Sequence, residues 1–305
     1  MTGADTRFVA TLMNSDESPG HWARAREREG WDGLAVPDHV FIETQPVAHL
    51  WVTATELALA TESVTIATSF ANNLLRSPVE FAQASLAVQR ASGGRFEAGL
   101  GAGWDQVELE ATGVLFPPTA GERAGRYIEA GRIVRQIFDE GRATFAGDWY
   151  QVDAPIVGPA CATAPPLVVS VGGPRTTAAL APIADIVEVK LPGFATTGKG
   201  SFHTRSLREV TPEDIVARLD AVRAHRADAP LGMFVAAGCG DHPVVEILQR
   251  QLQGSPFADL FGAPGSVAGG LRNLAGLGLD RITIGAVSTE TYELLAPALF
   301  GKKAT

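Results

Sequence analysis

The fold is decided by the stretch PLVVSVGGPRTTAALAPIADIVEVKL, residues 166–191. It opens with an apolar run of strand length, passes through two glycines into a helical segment that starts at a proline, and closes with a second apolar run. Apolar runs without alternation are typical of strands buried on both faces of a parallel sheet, and proline is common in the first turn of a helix. The stretch therefore predicts a strand–helix–strand unit with parallel strands.

The same alternation extends in both directions along the chain. The runs that we interpret as strands lie at 7–12, 33–36, 63–70, 95–101, 166–173, 185–191, 231–238 and 280–287. Helical segments are predicted at 18–30, 52–60, 77–94, 122–138, 174–184, 211–225 and 242–252. Eight strand–helix units without a linker favour a closed (β/α)8 barrel, the TIM barrel, over an open doubly wound sheet. We interpret residues 1–305 as one such domain, with a flexible loop on its active face around 192–208 and a hairpin or irregular excursion within 144–166.

Composition and charge exclude several classes of protein. Apolar residues make up 46% and charged residues 19%, so a large core is available and disorder is not expected. The net charge of −9 and the lack of a basic run argue against nucleic acid and membrane surfaces as partners. No apolar stretch reaches the ~20 residues of a membrane helix and the N-terminus lacks a signal pattern, so we expect a cytoplasmic protein. Cys161 and Cys239 lack CxxC spacing and predict neither a disulfide framework nor a metal site.

The candidate catalytic residue is His39. In a TIM barrel the functional side chains follow the carboxyl ends of the strands, and His39 follows the second strand directly, beside Asp38. Its imidazole suits proton transfer near neutral pH, although a histidine that only hydrogen-bonds at the start of a loop is the alternative. After the third strand, SFANN (69–73) presents two adjacent amides, which either hold a heterocycle or phosphate edge or simply form a turn.

Two glycine-rich turns are further candidates. GLGAGW, 99–104, approximates the GxGxxG dinucleotide fingerprint, but Trp104 replaces the final glycine and three strand units precede it. We therefore interpret it as a barrel rim whose glycines leave room for a flat ring, with Trp104 as a pocket wall or as a core residue. SVGGPRT, 170–176, combines two glycines, a helix N-terminus and Arg175, and it predicts a phosphate cradle or a tight turn. The sequence contains no GxSxG, HExxH or Walker motif, so hydrolase and metalloenzyme functions lack support.

Taken together, several of these motifs resemble one known family. GWDGLAVPDH (30–39), RSPVEFAQASLAVQRASGGRFEAGLGAGW (76–104), PPLVVSVGG (165–173) and GLDRITI (278–284) resemble the bacterial luciferase-like flavin and deazaflavin oxidoreductases. The resemblance covers nearly the whole chain. TSFANNLLRSP, ADIVEV and GSPFADLFGAPGSVAGGL are similar to an actinobacterial subgroup assigned to the deazaflavin coenzyme F420.

The resemblance implies a (β/α)8 barrel with the cofactor ring at the carboxyl ends of the strands. It implies a non-proline cis peptide between Ser69 and Phe70, and it places His39 beside the reactive carbon of the ring. The cofactor-binding residues that it implies are Asp38, His39, Ser69, Phe70, Ala71, Asn72, Gly101, Ala102, Gly103, Trp104, Gly172, Gly173, Pro174 and Arg175. The cations available for the anionic F420 tail are Arg175, Arg76 and Lys190.

Two departures from the family pattern bear on the substrate. The sugar-phosphate dehydrogenases of the family have tryptophan where Glu43 stands here and glutamate where Trp104 stands. The residues expected to line the substrate pocket are Met13, Phe41, Glu43 and Trp104, with Phe70 as a further apolar wall. Such a pocket favours an unsaturated or carbonyl compound over a sugar phosphate. Glu43 is either a second acid–base group or a solvated carboxylate.

The expected function is that of an F420-dependent oxidoreductase. It would transfer a hydride between C5 of the deazaflavin and a small organic substrate that carries a C=C, C=N, carbonyl or carbinol group. The favoured direction is reduction of the substrate, and His39 would move the proton. The alternatives are an FMN-dependent monooxygenase on the same scaffold and a non-catalytic barrel that binds a ligand. The resemblance also implies a homodimer that pairs through barrel helices.

Overall fold

The computed structural model describes residues 6–13, 17–191, 204–288 and 290–301, and these contain a closed barrel of eight parallel strands. The barrel strands are β1 (Arg7–Thr11), β2 (Gly33–Val36), β3 (Thr65–Thr68), β4 (Phe96–Gly101), β5 (Leu167–Val171), β6 (Ile186–Val189), β7 (Leu231–Cys239) and β8 (Arg281–Ala286). Each strand pairs with the next, β8 pairs with β1, and β4 pairs with β5 to complete the ring. The predicted TIM barrel is confirmed.

Helices follow the barrel strands along the chain. They are α1 (Pro19–Glu29), α2 (Leu50–Ala60), α3 (Pro78–Ala91), α4 (Gln106–Ala111), α5 (Ala120–Glu140), α6 (Pro174–Leu180), α7 (Thr204–Arg208), α8 (Pro212–Arg223), α9 (Pro243–Gln251), α10 (Pro264–Ala275) and α11 (Thr291–Phe300). Serine or threonine followed by proline starts three of them: Ser18, Ser77 and Thr211 each accept a hydrogen bond from a backbone N–H in the first turn. Gly30 ends α1 in the left-handed conformation, with φ of 99°.

Several short strands lie in the connections between the barrel strands and the helices. Phe41–Ile42 pairs with Gln45–Pro46 in the connection after β2, and Ala71–Asn72 runs beside the end of β4. Ala143–Ala146 and Gln151–Ala154 form an antiparallel hairpin, which confirms the hairpin interpretation of that region. Of the loop expected around 192–208, residues 192–203 lie outside the described part of the chain. Residues 204–208 form α7, so the loop prediction is wrong there.

The inside of the barrel holds charged side chains. Arg281 on β8 lies 2.6 Å from Glu97 on β4, and Arg7 on β1 lies 2.7 Å from the same carboxylate. Glu188 on β6 accepts a hydrogen bond of 2.8 Å from the hydroxyl of Thr283. These contacts join strands that are not neighbours in the ring, so they cross the barrel interior. Val9, Ala35 and Ala67 form a separate apolar cluster of one residue each from β1, β2 and β3.

Two tyrosine hydroxyls reinforce the strand ends that lead into the site. The hydroxyl of Tyr292 accepts hydrogen bonds from the backbone N–H groups of Thr11 (3.0 Å) and Ala286 (3.1 Å), across the seam between β1 and β8. The hydroxyl of Tyr127 donates to the carbonyl of Leu100 and accepts from the N–H of Ser170, across the seam between β4 and β5.

Along the described ranges, no helix combines the length and hydropathy that crossing a membrane requires.

Candidate active site

A large cavity opens at the carboxyl ends of the barrel strands, where the sequence predicted the site. Its volume is about 1130 Å³, and its walls come from the ends of the strands and the loops that follow them. The predicted site residues that line it are Met13, Asp38, His39, Phe41, Glu43, Ser69, Phe70, Ala71, Asn72, Gly101, Ala102, Gly103 and Trp104. Lys190 lines the same cavity. Thus most of the predicted cofactor and substrate residues meet at one place.

The side chain of His39 is held between a carboxylate and an indole. Its Nδ1 lies 2.9 Å from Oε2 of Glu108, and its ring meets the ring of Trp104 edge-on, with centroids 5.5 Å apart. The other oxygen of Glu108 accepts a hydrogen bond from the backbone N–H of Val40. The Glu108 side chain is 0% exposed, whereas that of His39 is 13% exposed. The Nδ1 edge of the imidazole therefore lies against buried protein, and the rest of the ring lines the cavity.

Glu108 was missed by the sequence prediction because its position suggests a local role. It is the third residue of α4, and its backbone N–H donates to Asp105, the residue that caps the helix, at 3.1 Å. An acid at this position typically folds back onto the cap residue in a capping box. Here the carboxylate contacts His39 and Val40 instead. The available signal was an acid within a short helix that begins just after Trp104.

Asp38 joins the loop after β2 to the loop after β3. Its Oδ2 accepts a hydrogen bond of 2.8 Å from the backbone N–H of Asn72. Its Oδ1 lies 2.9 Å from Nη2 of Arg76, and its Oδ2 lies 3.2 Å from Nε of the same residue. These contacts raise the pKa of the Arg76 guanidinium above its ordinary value. Arg76, which the sequence offered as a cation for the cofactor tail, is therefore bound to Asp38 and lies outside the cavity lining.

The segment after β3 has the backbone form that the resemblance implied. The peptide bond between Ser69 and Phe70 is cis. A side chain at Gly101 would come within 2.8 Å of Cβ of Phe70, and one at Gly103 within 2.3 Å of Oδ1 of Asn72. The absence of side chains at these two glycines therefore allows the end of β4 and the loop after it to pack against the segment after β3. Both glycines also line the main cavity, and the expected contact of a ring with them stays a prediction.

Four residues that line the cavity carry a buried side-chain oxygen without a hydrogen-bond partner in the described structure. They are Thr11 (Oγ1), Ser69 (Oγ), Ser170 (Oγ) and Glu188 (Oε2). Buried polar atoms are normally satisfied, so a group left unpaired at a cavity wall marks capacity for a polar ligand. Burial raises the pKa of the Glu188 carboxyl, against the opposing effect of Arg281. Burial lowers the pKa of the Lys190 ammonium, against the opposing effect of Glu188.

The residues of the glycine turn after β5 do not line the main cavity. Gly172, Gly173 and Pro174 border a second cavity of about 310 Å³ beside α8, which Arg175 does not line. Nη1 of Arg175 donates to the carbonyl of Gly121 at 2.9 Å. No atom lies within 4 Å of a side chain placed at Gly173, whereas Cβ of Lys190 lies 3.4 Å from one placed at Gly172. The turn is open on one side and adjoins the wall of the main cavity on the other.

Metal ligands are not grouped in the described ranges, which contain no cluster of three or more histidine, cysteine or acidic side chains suited to hold a metal ion.

Comparisons with known proteins agree with this architecture. The chain is 32% identical over 164 residues to the F420-dependent glucose-6-phosphate dehydrogenase of Kineococcus radiotolerans, a match that covers 50% of this chain and 45% of the relative. A second protein of that name, from Intrasporangium calvum, is 32% identical over 160 residues, or 50% of this chain and 47% of the relative. The matches thus span about half the length of these curated relatives.

Solved structures resemble the chain over nearly its whole length. An F420-dependent secondary alcohol dehydrogenase in complex with an F420-acetone adduct superposes with a TM-score of 0.73 at 19% identity, covering 97% of this chain and 99% of that one. The coenzyme F420-dependent tetrahydromethanopterin reductase from Methanopyrus kandleri gives 0.70 at 15% identity, covering 97% and 98%. At this level of identity the likeness concerns the fold.

The family itself is shown by a sequence model. The model for luciferase-like monooxygenases matches residues 19–204, which is more than half of the chain and includes His39, the cis peptide and both glycine turns. The chain therefore belongs to the luciferase-like monooxygenase family.

Proposed function

We propose that the chain is an F420-dependent oxidoreductase that acts on a small organic substrate. The proposed direction is reduction of the substrate. The observation that carries this proposal is the placement of His39. Its imidazole lines the main cavity at the end of β2, in the same wall as the Ser69–Phe70 cis peptide, and is held there by Glu108 and Trp104. A proton-transferring group fixed beside a ring-sized cavity is the arrangement that hydride chemistry on an organic substrate needs.

The residues present fit a deazaflavin. A cavity of about 1130 Å³ exceeds the usual range for a small-molecule site and accommodates a tricyclic ring together with a substrate. The unpaired oxygens of Ser69 and Ser170 offer hydrogen-bond partners for the polar edge of the ring. The open turn at Gly172 and Gly173 is suited to the phosphate. When bound, the cofactor would supply or accept the hydride at its C5.

The remaining catalytic work falls to side chains of the protein. We propose that His39 donates the proton to the substrate atom next to the one that receives the hydride, or removes it in the reverse reaction. Met13, Phe41 and Trp104 contribute apolar walls to the cavity. Such walls exclude water and favour a C=C, C=N or carbonyl compound. Lys190 and Arg175 are the cations proposed for the anionic tail of the cofactor.

Charge in the cavity argues against a sugar phosphate as substrate, even though the curated relatives are named for glucose-6-phosphate. The acidic residues in the lining are Asp38, which is paired with Arg76, and Glu43, Asp105, Glu110 and Glu188. Among the described residues of that lining, Lys190 is the one lysine or arginine. A doubly charged phosphate would meet unfavourable potential there. An uncharged substrate is therefore proposed.

The test is a titration with F420 and FMN side by side, followed by turnover with reduced F420 and a panel of enones, imines and ketones. We expect F420 to bind more tightly than FMN, and we expect the deazaflavin absorbance to return as substrate is reduced. His39→Ala should abolish most of this turnover while F420 still binds. Unchanged turnover in that variant would remove His39 from the reaction.

A second candidate function has support from the family model, whose description is that of monooxygenases. An FMN-dependent monooxygenase would use the same cavity for flavin and oxygen. Oxygen uptake with reduced FMN and substrate, without turnover on F420, would favour this alternative. Failure to bind either cofactor would favour the non-catalytic barrel.

We further propose that the protein is a cytoplasmic homodimer that does not bind nucleic acid or membranes. On α2, the side chains of Val52 and Leu59 are 66% and 70% exposed, and they lie two turns apart on one helix face. Burial of such a face against a second copy would remove apolar area from water. Analytical ultracentrifugation tests this, with Val52→Lys expected to shift the mass toward a monomer. Cell fractionation tests the location.

A further inference from the structure

We propose that Glu108 is a positioning residue that keeps a proton on Nδ1 of His39, and thereby makes Nε2 the atom that exchanges protons in the cavity. The inference rests on the proposed function for the use of that proton. The orientation of the imidazole itself rests on contacts in the described structure alone.

The first argument is the matching of donors and acceptors. An ionised carboxylate can only accept hydrogen bonds. One oxygen of Glu108 accepts from the backbone N–H of Val40, a donor that cannot change its role. The other oxygen lies 2.9 Å from Nδ1 of His39, so this nitrogen must be the donor. In a neutral imidazole the proton is then absent from Nε2, which presents a lone pair.

The second argument is burial. The Glu108 side chain is 0% exposed and seals the Nδ1 side of the ring, whereas the 13% exposure of His39 lies on its remaining surface. Trp104 contacts the ring edge-on at 5.5 Å and restricts its rotation. With one nitrogen buried and the ring plane held from a second direction, Nε2 is the nitrogen left to meet a ligand in the cavity.

The third argument is that Glu108 is itself held in place. Asp105 caps α4 by accepting a hydrogen bond of 3.1 Å from the backbone N–H of Glu108. The bond from Val40 ties the same side chain to the loop after β2. The backbone of Glu108 is therefore fixed by the cap of α4, and its carboxylate is fixed by the N–H of Val40. A side chain without such anchors would not fix a tautomer.

The chemical consequence concerns the charge that forms during proton transfer. When Nε2 takes up a proton the imidazole becomes a cation, and the Glu108 carboxylate faces that cation at 2.9 Å. When the proton leaves Nε2 for the substrate, the ring returns to the neutral form with Nδ1 still protonated. The same nitrogen thus gives and takes the proton in every cycle, and no rotation of the ring is needed.

The experiment is imidazole ¹⁵N NMR on the ligand-free protein at alkaline pH, with His39 assigned by comparison with His39→Gln. The wild type should show the Nδ1–H form, which is the minor tautomer of free histidine. In Glu108→Gln the single amide oxygen is needed by the Val40 N–H, so the amide NH2 meets Nδ1 and should move the proton to Nε2. Glu129→Gln is the matched control, because Glu129 is buried and accepts backbone N–H bonds from Asp148, Trp149 and Tyr150. The control should keep the wild-type spectrum of His39.

An Nε2–H tautomer in the wild type, or an unchanged tautomer in Glu108→Gln, would overturn the proposal. Because these spectra need no cofactor, they decide the role of Glu108 even if the chain does not use F420. With turnover established, Glu108→Gln should lower kcat by about 10- to 100-fold and leave KM within about twofold, since the proton-transferring group is misplaced rather than removed. Equal losses in Glu108→Gln and Glu129→Gln would indicate a structural role only and would also overturn it.

Discussion

Arg281 and Glu97 meet across the inside of the barrel, with Nη1 of Arg281 2.6 Å from Oε2 of Glu97. They belong to β8 and β4, which lie on opposite sides of the ring. Burial alone would raise the pKa of Glu97, but Arg281 and Arg7 together lower it below its ordinary value. The contact therefore acts as an ionic brace in a region where other TIM barrels have packed aliphatic side chains.

Removing the carboxylate of this brace should be strongly destabilising. Glu97→Gln leaves the buried Arg281 without its nearest counter-charge, and we expect the free energy of unfolding to fall by about 3–5 kcal/mol. Urea denaturation followed by circular dichroism measures this change. Glu122→Gln is the control, because Glu122 pairs with Arg126 on the surface of α5 and should change stability by less than about 1 kcal/mol. A similar small loss in both variants would contradict the brace.

The two buried acids inside the barrel should affect stability in opposite directions as pH changes. The folded-state pKa of Glu97 is lowered, so its contribution is complete above the ordinary pKa and is lost as pH falls through the folded value. The folded-state pKa of Glu188 is raised, so the folded state holds its proton more tightly and stability declines as pH rises from the ordinary to the raised value. The stability deficit of Glu97→Gln relative to wild type should therefore shrink as pH falls. The stability of Glu188→Gln relative to wild type should increase as pH rises toward neutral. Urea midpoints between about pH 2.5 and pH 8 test this, because the window for Glu97 lies below the ordinary pKa of glutamate, and parallel curves for the two variants would contradict it.

The barrel itself was predictable because its signals are local. Each strand is a short apolar run, and capping residues such as Ser18 and Thr211 mark helix starts within three or four positions. The eight-unit count needs only their order along the chain. His39 was found by the same logic, since it directly follows a strand.

The partners of these residues were not predictable, because they depend on how distant strands are aligned in the closed ring. Glu108 is 69 residues from His39, and Arg281 is 184 residues from Glu97. The same holds for Asp38, whose partner Arg76 lies 38 residues away along the chain. A contact of Asp38 with the cofactor, which the resemblance implies, stays a prediction.

The bond between Arg76 and Asp38 should control the shape of the cavity wall. Arg76→Lys keeps the charge but loses the two-point contact with the carboxylate, so the segment that carries the cis peptide is held less firmly. We expect F420 affinity to fall by about tenfold, equivalent to about 1.4 kcal/mol. A fluorescence titration measures it. Arg142→Lys, which alters an exposed pair with Glu140, should leave affinity unchanged. Equal affinities in the two variants would show that the contact does not shape the site.

The hydroxyl of Tyr292 should stabilise the seam between β1 and β8. Tyr292→Phe leaves the backbone N–H groups of Thr11 and Ala286 without their acceptor in a buried seam. We expect the free energy of unfolding to fall by about 2–3 kcal/mol, with faster hydrogen exchange at these two amides. Tyr150→Phe is the comparison, since its hydroxyl makes one half-buried contact with Asn73. Unchanged exchange at Thr11 and Ala286 would exclude the seam as the cause of any loss.

Trp104 should determine how tightly an apolar substrate is held. Its indole lines the main cavity and also meets the edge of the His39 ring at 5.5 Å. Trp104→Ala removes the apolar wall, and the loss of this burial, about 1.5–3 kcal/mol, corresponds to a rise in KM of at least about tenfold. Trp104→Phe keeps an aromatic edge beside the imidazole, so KM should rise much less and kcat should stay close to wild type. Steady-state kinetics with the substrate found in the F420 assay separate the two variants. If Trp104→Phe lost kcat while KM stayed constant, the indole would act through the position of His39 rather than through contact with the substrate.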